Sequence, residues 1–583
     1  MKLIFDLETN GLVKEVTTVH MIVCQDVDTE EVHTFINDGE GVNQIEDGLK
    51  LLDKADELIG HNILDFDFPV LEKLYKWKPK SNLKVSDTLV LCKLSDPDVQ
   101  NTDFRKKIDD MPIKLYGSHS LEAWGWRIGE RKNNKPFDWM KFTPEMLTYC
   151  IQDVKTNLKL YTYLCNLDLA PLAVQLEMSA AATATRMEHN GFTFDMKAAG
   201  MLQADLASQR EEIHKALRDV FPTRVIERYS EKTGKRLKDE VIEFNPGSRD
   251  HIAYWLKTKY DWKPKVFTNG GKPMIDEEIL EGMDYPEAKK LVGYFMLEKR
   301  LGMLSEGKNA WMALSQDDGR IHGRMNTIGA ATGRCTHSNP NMAQVPSVRK
   351  PYGKECRQLF TVPKGFKLVG TDLSGIELRC LAHYLASYDN GDYAKEIIEG
   401  DIHTRTQEAA GLPTRDAAKT FTYALLYGAG DAKMGLIVGG GRKEGKEMKE
   451  KFFTALPAFK KLSEKVAEAS ERGWLKGLDG RRLPVRSPHA ALNTLLQGAA
   501  AQIAKLWFVR YEENCMKEGW KIGKDFWLSA FVHDEIQVTV REEFAERCAQ
   551  IAVESAYQAG EELGMRCKVG AEAKIGMNWY DCH

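Results

Sequence analysis

The pattern of apolar and polar positions changes character along the chain. Near the N-terminus, KLIFDLE (2–8) and HMIVCQDV (20–27) are rich in apolar and β-branched residues and predict strands. LEKLYKW (71–77) and MLTYCIQDVKTNLKLYTYL (146–164) repeat their apolar residues at helical spacing instead. Together they predict an α/β unit over the first 165 or so residues. From about Leu167 the helical runs lengthen, as in APLAVQLEMSAAATATRMEHNG (170–191) and MLQADLASQREEIHKALRDVF (201–221). The polar stretch TRVIERYSEKTGKRLKDE (223–240) predicts a loop, and helical pieces resume to about residue 310. A mixed region follows, with strands near IHGRMNT and FKLVGTDL, helices from 402 to 475, and a strand pair around LSAFVHDEIQVTV (528–540). The chain carries no internal repeat and no low-complexity tract.

A length of 583 residues exceeds what one hydrophobic core supports, so two or more domains are expected. The 43% hydrophobic and 28% charged fractions suit a soluble globular enzyme. No run approaches the roughly 20 apolar residues that cross a bilayer, so no membrane association is expected. The start, MKLIFDLETN, enters strand-like sequence at once, and no signal or transit peptide is expected. Eleven scattered cysteines without a CxxC pair argue against a zinc ribbon or disulfide scaffold and for a reducing cytoplasm. The net charge of −4 does not itself favour nucleic acid. RKPYGKECR (349–357) and GRKEGKEMKEKF (441–452) are locally basic, and the second reads equally well as a solvated helix face.

In FDLETNGL, Asp6 and Glu8 lie two apart on a strand and share a face. Alone, that pair reads more simply as an exposed edge. HNILDFDFPVL adds Asn62 and Asp67, and YCIQD sets Tyr149 and Asp153 four apart on one side of a helix. Three such elements can converge on two divalent cations, and carboxylates with water suit magnesium or manganese. Two ions about 3.5–4 Å apart activate a water and stabilise a leaving oxygen in phosphodiester hydrolysis. The segments resemble the Exo I (DxE), Exo II (Nx₃FD) and Exo III (YxxxD) motifs of proofreading 3′–5′ exonucleases with a ribonuclease H-like fold. The resemblance implies metal ligation by Asp6, Glu8, Asp67 and Asp153, with Tyr149 orienting the attacking water. Asp65, beside the motif, is set aside.

Toward the C-terminus, LVGTDLSGIELRCLAHY (368–384) predicts a strand that breaks at Asp372, a small-residue turn and a helix. RDAAKTFTYALLYGAG (415–430) spaces Arg415, Lys419, Tyr423 and Tyr427 four apart, one stripe of two cations and two rings. Such a stripe suits a nucleotide, with cations on phosphates and rings against sugar and base. FVHDEIQV (531–538) sets two adjacent acids, Asp534 and Glu535, inside an apolar run. Burying an unpaired carboxylate costs several kcal/mol, so compensation is expected.

These segments resemble motifs A, B and C of the family A (Pol I-like) DNA polymerases, and most closely the short replicative polymerases of podovirus-type bacteriophages. TGRCTHSNPNMAQVP (332–346) resembles a primer–template contact segment, and SPHAALNTLLQGAAAQ (487–502) resembles the QGxAA helix near the templating base. The resemblance spans nearly the whole chain. It implies an exonuclease domain over 1–168, joined to a right-hand polymerase domain over 169–583. The thumb would span about 180–310, the palm about 311–400 and 480–583, and the fingers about 401–479. Asp372 and Asp534 would bind two catalytic Mg²⁺ ions, for which Mn²⁺ can substitute, with the Leu373 carbonyl as a further ligand. FVHDEIQV would then be a hairpin whose acids face the cleft, with magnesium as the compensating charge and Glu535 assisting nearby. Arg415, Lys419 and His403 would hold the triphosphate, Lys419 also as general acid. Tyr423 would lie along the incoming sugar, implying weak discrimination against dideoxynucleotides, and Glu377 would exclude a ribose 2′-hydroxyl. Tyr427 would stack at the template position, and Arg334, Asn493, Gln497 and His533 would contact primer or template.

The implied substrates are primer–template DNA and deoxynucleoside triphosphates. Implied partners are replisome proteins, such as a helicase-primase and a single-stranded DNA-binding protein, in the cytoplasm of an infected bacterium. Relatives in this phage group recruit host thioredoxin through a long thumb insertion. Here only the short polar stretch separates Phe221 from FNPGSRDH (244–251), which speaks against thioredoxin. His489 stands one turn before Asn493, where many relatives have arginine, and receives no role. Two other readings are a DNA-degrading factor with an inert polymerase site and an enzyme that synthesises RNA or copies it. Intact Asp372, Asp534 and Lys419 oppose the first, and Glu377 opposes the second.

Overall fold

The computed structural model describes residues 1–131 and 137–583. Strands β1 (Lys2–Thr9), β2 (Val19–Asp26), β3 (Val32–Ile36), β4 (Glu57–Gly60) and β5 (Lys84–Asp87) form a mixed sheet ordered β3-β2-β1-β4-β5. β1 pairs antiparallel with β2 and parallel with β4. Side chains alternate across a strand, so Leu3, Phe5 and Leu7 enter one core with Leu49, Val70 and Leu71. Ile4 enters the opposite core with Met146, Cys150 and Val154. The same alternation carries Asp6 and Glu8 to the face of Ile4, toward the strand end.

Three helices of this unit position its acids: α1 (Asp67–Tyr75), α2 (Thr88–Ser95) and α3 (Pro144–Cys165). Thr143 caps α3 by accepting the Met146 N–H, and Pro144 fills the first turn, where no intrahelical N–H bond is lost. Helix α4 (Pro171–Asn190) leads from this unit into the remainder of the chain. Long helices Met196–Val220 and Pro286–Leu301 then enclose Leu217, Phe221, Leu291 and Phe295. The polar stretch expected to be a loop is instead bounded by a short hairpin, Arg224–Ile226 with Glu240–Ile242. Its paired Val225 and Val241 are both about 60% exposed, so no buried face imposes the alternation that would mark strands.

A second sheet holds β6 (Phe366–Leu373), β7 (Phe526–Val532), β8 (Glu535–Arg541) and β9 (Ala571–Gly576), ordered β7-β8-β6-β9 with every pairing antiparallel. Its core joins Val369 and Leu373 of β6 to Phe531 and Ile536 of the β7–β8 hairpin. Helix α5 (Ile376–Asp389) follows β6, α6 (Arg415–Leu426) lies within the helical block that follows, and α7 (Ala491–Lys517) crosses beneath the sheet. Phe508 of α7 stacks on Phe531 at 4.7 Å between ring centroids. Buried residues surround α7 on all sides, as expected of a helix at the centre of a large core. All eleven cysteines are free thiols, and no helix among the described residues is long and apolar enough to cross a membrane.

Two candidate active sites

The N-terminal site forms where β1 meets α3. Asp67 opens α1, and Asp153 projects from α3 toward β1. The Cys150 thiol, 3.9 Å from Asp6 Oδ2, lies in the field of Asp6, Glu8, Asp153 and Asp67, so the four predicted acids converge. Asp67 is 2% exposed, and its Oδ1 has no hydrogen-bond partner. Burial, then the charges of Asp6 and Asp87, push its carboxyl well above the usual range. Tyr149 packs edge-on against Phe137 at 5.3 Å and Trp139 at 6.3 Å, forming an aromatic wall.

Two residues at this site escaped sequence reasoning. Asp87 is buried and accepts backbone N–H bonds from Asn62 (2.9 Å), Leu64 (3.2 Å) and Leu89 (2.9 Å). It thereby caps α2 and fastens the 62–66 turn, where Asn62 takes φ +69°, immediately before Asp67. An Asp-Thr pair ahead of an apolar helical run is the signal that could have found it. Cys150 is the other, one position past Tyr149. Asp65 points away from the acids and pairs with Arg324 at 3.0 Å.

The C-terminal site is built on sheet register. Asp372 pairs with Glu535 across β6–β8, and Glu535 pairs with Val532 across the hairpin. His533 and Asp534 form its two-residue turn, with His533 at φ +60°. The Leu373 N–H donates to the Asp534 carbonyl at 2.9 Å, which draws the Asp372 and Asp534 ends together. Strand β6 therefore continues one residue beyond the expected break at Asp372. Desolvation in the cleft, then the carboxylates of Asp534, Glu535 and Glu572, push Asp372 up to about 7. Burial raises Asp534, against the opposing pull of His533 and Arg334.

Glu535 has a different environment. Its Oε1 accepts from Gln537 Nε2 at 2.7 Å, from Arg357 Nη1 at 3.5 Å and from the Trp579 indole N–H. Arg357, from the basic run 349–357, stacks on the Trp579 ring at 4.6 Å. Protein groups thus compensate this carboxylate, where magnesium was the expected source for the acidic pair.

Helix α6 faces the core with Ala418, Phe421, Thr422 and Leu425, leaving Arg415 and Lys419 exposed and Tyr423 half-buried on the other side. Tyr427, the last member of the predicted stripe, is the C-cap. Its hydroxyl donates to Glu377 Oε2 at 2.8 Å, while Arg334 donates to Glu377 Oε1 at 2.8 Å. Arg415 pairs with Asp401 at 2.6 Å, and the His403 ring lies 6.4 Å from that of Tyr423. His403 Nδ1 is buried without a partner. Asn493 and Gln497 lie on the first turns of α7, and His489 is exposed in the 3₁₀ turn ahead of it.

Both donor sets fit divalent cations. Carboxylates predominate, burial and then neighbouring carboxylates raise Asp67 and Asp372 above the usual range, and Asp67 Oδ1 is a buried oxygen lacking any hydrogen bond.

Residues 222–581 match the family described as DNA polymerase family A, and residues 3–105 match the RNase H superfamily. The chain belongs to DNA polymerase family A. Proteins of this family, like RNase H-like domains, use divalent metal ions. This family A member is 37% identical to the DNA-directed DNA polymerase of Enterobacteria phage T3, with all of both chains covered. Its identity to the DNA-directed DNA polymerase of Escherichia phage T7 is also 37% over both whole chains. The first alignment spans 709 positions against 583 residues, so the phage T3 relative carries residues without counterparts here. Among solved structures, the POL domain of Pol1 from M. smegmatis, in complex with DNA primer-template and dNTP, shares the fold. The TM-score is 0.78 at 20% identity, covering 99% of this chain and 96% of that one.

Proposed function

We propose that the chain is a DNA-directed DNA polymerase that replicates viral DNA and proofreads it with a 3′–5′ exonuclease. The observation that carries the reading is the Leu373 N–H bond to the Asp534 carbonyl. It brings two carboxylates to one end of the second sheet, in a chain that carries the cation–aromatic stripe of α6. We divide the chain at 168/169, with thumb (about 180–310), palm (about 311–400 and 480–583) and fingers (about 401–479) after the exonuclease domain.

Asp372 and Asp534, with the Leu373 carbonyl, would hold the polymerase cations, and Asp6, Glu8, Asp67 and Asp153 those of the exonuclease. Magnesium is the ion we assign, with manganese able to replace it. When bound there, the cations would supply acidification of the attacking oxygen and neutralisation of charge on the transferring phosphoryl group. Arg415, Lys419 and His403 bind the triphosphate, and Lys419 gives a proton to the leaving pyrophosphate. For Arg415 this means exchanging Asp401 for phosphate. Tyr423 lies along the incoming sugar. Glu377, braced by Arg334 and Tyr427, closes the space a ribose 2′-hydroxyl would need. Tyr427 stacks at the template base, and Asn493, Gln497, Arg334 and His533 line the duplex. Glu535 supports the turn from behind.

At the exonuclease, Tyr149 orients the attacking water. The 62–66 turn ahead of Asp67 borders a cleft of about 920 Å³ lined by cations (Lys14, Lys73, Arg324) and acids (Glu15, Glu72, Glu188) alike. The enzyme acts in the infected bacterial cytoplasm alongside helicase-primase and single-stranded DNA-binding protein, and does not depend on thioredoxin. Primer extension and 3′-end degradation by wild type, Asp372→Asn and the Asp6→Ala/Glu8→Ala double variant test the assignment. Asp372→Asn should lose extension alone and the double variant degradation alone. Loss of both activities in either variant contradicts two separate sites.

A further inference from the structure

Four charged side chains are buried together behind the C-terminal site. Glu177 of α4, Lys505 of α7, and Asp479 and Arg481 from the turn of a hairpin (Trp474–Lys476 with Arg482–Pro484) are each at most 5% exposed. Arg481 meets Asp479 through Nε at 2.8 Å and through Nη2, and its Nη1 donates to Glu177. Lys505 donates to the same Glu177 oxygen, and the Gln502 side chain accepts the Asp479 N–H at 3.2 Å. The four charges cancel, and apolar residues of similar volume commonly stabilise a core as well as a buried ionic cluster does. What such a cluster fixes is position, because the guanidinium is a planar fork locked here by two carboxylates.

That plane lies under Gly333, which takes φ +78°; a Cβ there would stand 3.1 Å from Arg481 Nη1. Gly333 belongs to a tight turn in which its N–H donates to the Ala330 carbonyl at 2.8 Å. The Gly329 and Ala330 N–H groups close the turn on the Arg334 carbonyl, at 3.0 and 3.2 Å. Arg334 in turn donates to Glu377 Oε1 at 2.8 Å. Lys505 faces the same side: with Arg334, Glu377 and Asp534 it lines a small cavity of about 40 Å³. Contact thus runs from Glu177 through Arg481 and the 329–334 turn to Arg334 and Glu377.

We infer that Arg481, held by Glu177, is a positioning residue that sets Arg334 against Glu377 and so governs discrimination between deoxyribo- and ribonucleoside triphosphates. Buried itself, it acts through the turn. The inference rests on the reading of Glu377 as the group that excludes a ribose 2′-hydroxyl. Arg481→Lys keeps the charge but loses the fork and the plane. The turn then relaxes, Arg334 shifts, and Glu377 is left braced by Tyr427 alone.

The test is the ratio of kcat/KM for a deoxynucleotide to that for the matching ribonucleotide, in primer extension by the full chain. Loss of folded protein lowers both values alike and leaves the ratio unmoved, so a merely structural role is silent in this readout. Glu377→Ala should lower the ratio at least about tenfold. Arg334→Ala and Arg481→Lys should each lower it about threefold or more. The Arg334→Ala/Arg481→Lys double variant should fall no further than Arg334→Ala. Glu177→Gln should behave as Arg481→Lys does in both backgrounds, and it keeps the test decisive if Arg481→Lys fails to fold. A wild-type ratio in Arg334→Ala or Arg481→Lys, or an equal further loss on top of Arg334→Ala, overturns the inference while Glu377→Ala still upholds the gate. An unmoved ratio in Glu377→Ala overturns the gate reading and the inference with it.

Discussion

Asp534 and Glu535 adjoin in sequence, and the hairpin turn sends them to different surroundings. Asp534 sits in the turn facing Asp372, while Glu535 is the first residue of β8 and is bonded by Arg357, Gln537 and Trp579. Sequence reasoning could rank Asp534 above Glu535 through its resemblance to a known motif. It could not see that Glu535 is neutralised from 178 and 44 residues away, because nothing local encodes such partners. Asp87 makes the same point at the exonuclease. Its bonds to Asn62 and Leu64 hold the turn that aims Asp67, and charge-assisted bonds of this kind contribute about 1.5–3 kcal/mol each. Asp87→Asn should lower excision about 10–100-fold, as for residues that orient metal ligands. Primer extension by the same protein should be unchanged, and single-turnover assays of both reactions check this.

At the scale of elements, α4 and the strand Arg324–Asn326 meet through Glu188, whose carboxylate accepts the Met325 N–H. Burial, then the nearby charge of Asp65, push Glu188 up to about 7 from an ordinary 4.5. The folded state therefore holds a proton that the unfolded chain releases between those values. Stability falls as pH rises through that window, with no cost below it and the full cost above. Glu188→Gln keeps the acceptor without the charge. It should match wild type in thermal melting at pH 4.5 and gain about 1–3 kcal/mol at pH 8. Equal gains at both pH values would contradict it.

The turn after α6 is equally constrained. Gly428 has φ +72°, and a Cβ there would stand 2.8 Å from the His489 carbonyl oxygen. Gly428→Ala should cost about 1–2 kcal/mol and slow extension, because Tyr427 moves with the turn; melting and steady-state extension measure both. The α6 stripe itself was legible, since a period near four is visible in one sequence. The surface hairpin at 224–242 was not, because it buries no face.

Across the whole molecule, the two catalytic units are joined by polar contacts between residues hundreds of positions apart. Asp65 meets Arg324 at 3.0 Å, Asp98 meets Arg486 at 2.6 Å, and Lys93 donates to Asn326 at 3.0 Å. The two ion pairs, partly open to solvent, contribute only about 0–1 kcal/mol each, so they suit a joint that sets geometry rather than overall stability. The architecture was legible because each predicted acid sits in a short ordered motif. The joint was not: Asp65 looked like a spare acid beside Asp67, and its partner lies 259 residues away.

The central claim is that Asp372 and Asp534, drawn together by the Leu373 N–H, form the polymerase centre. Primer extension by Asp534→Asn, at saturating magnesium and deoxynucleotides, tests it most directly. Extension should fall by about a thousandfold or more, as when a group that organises phosphoryl transfer is lost, while 3′-end degradation persists. Extension at the wild-type rate would contradict the account.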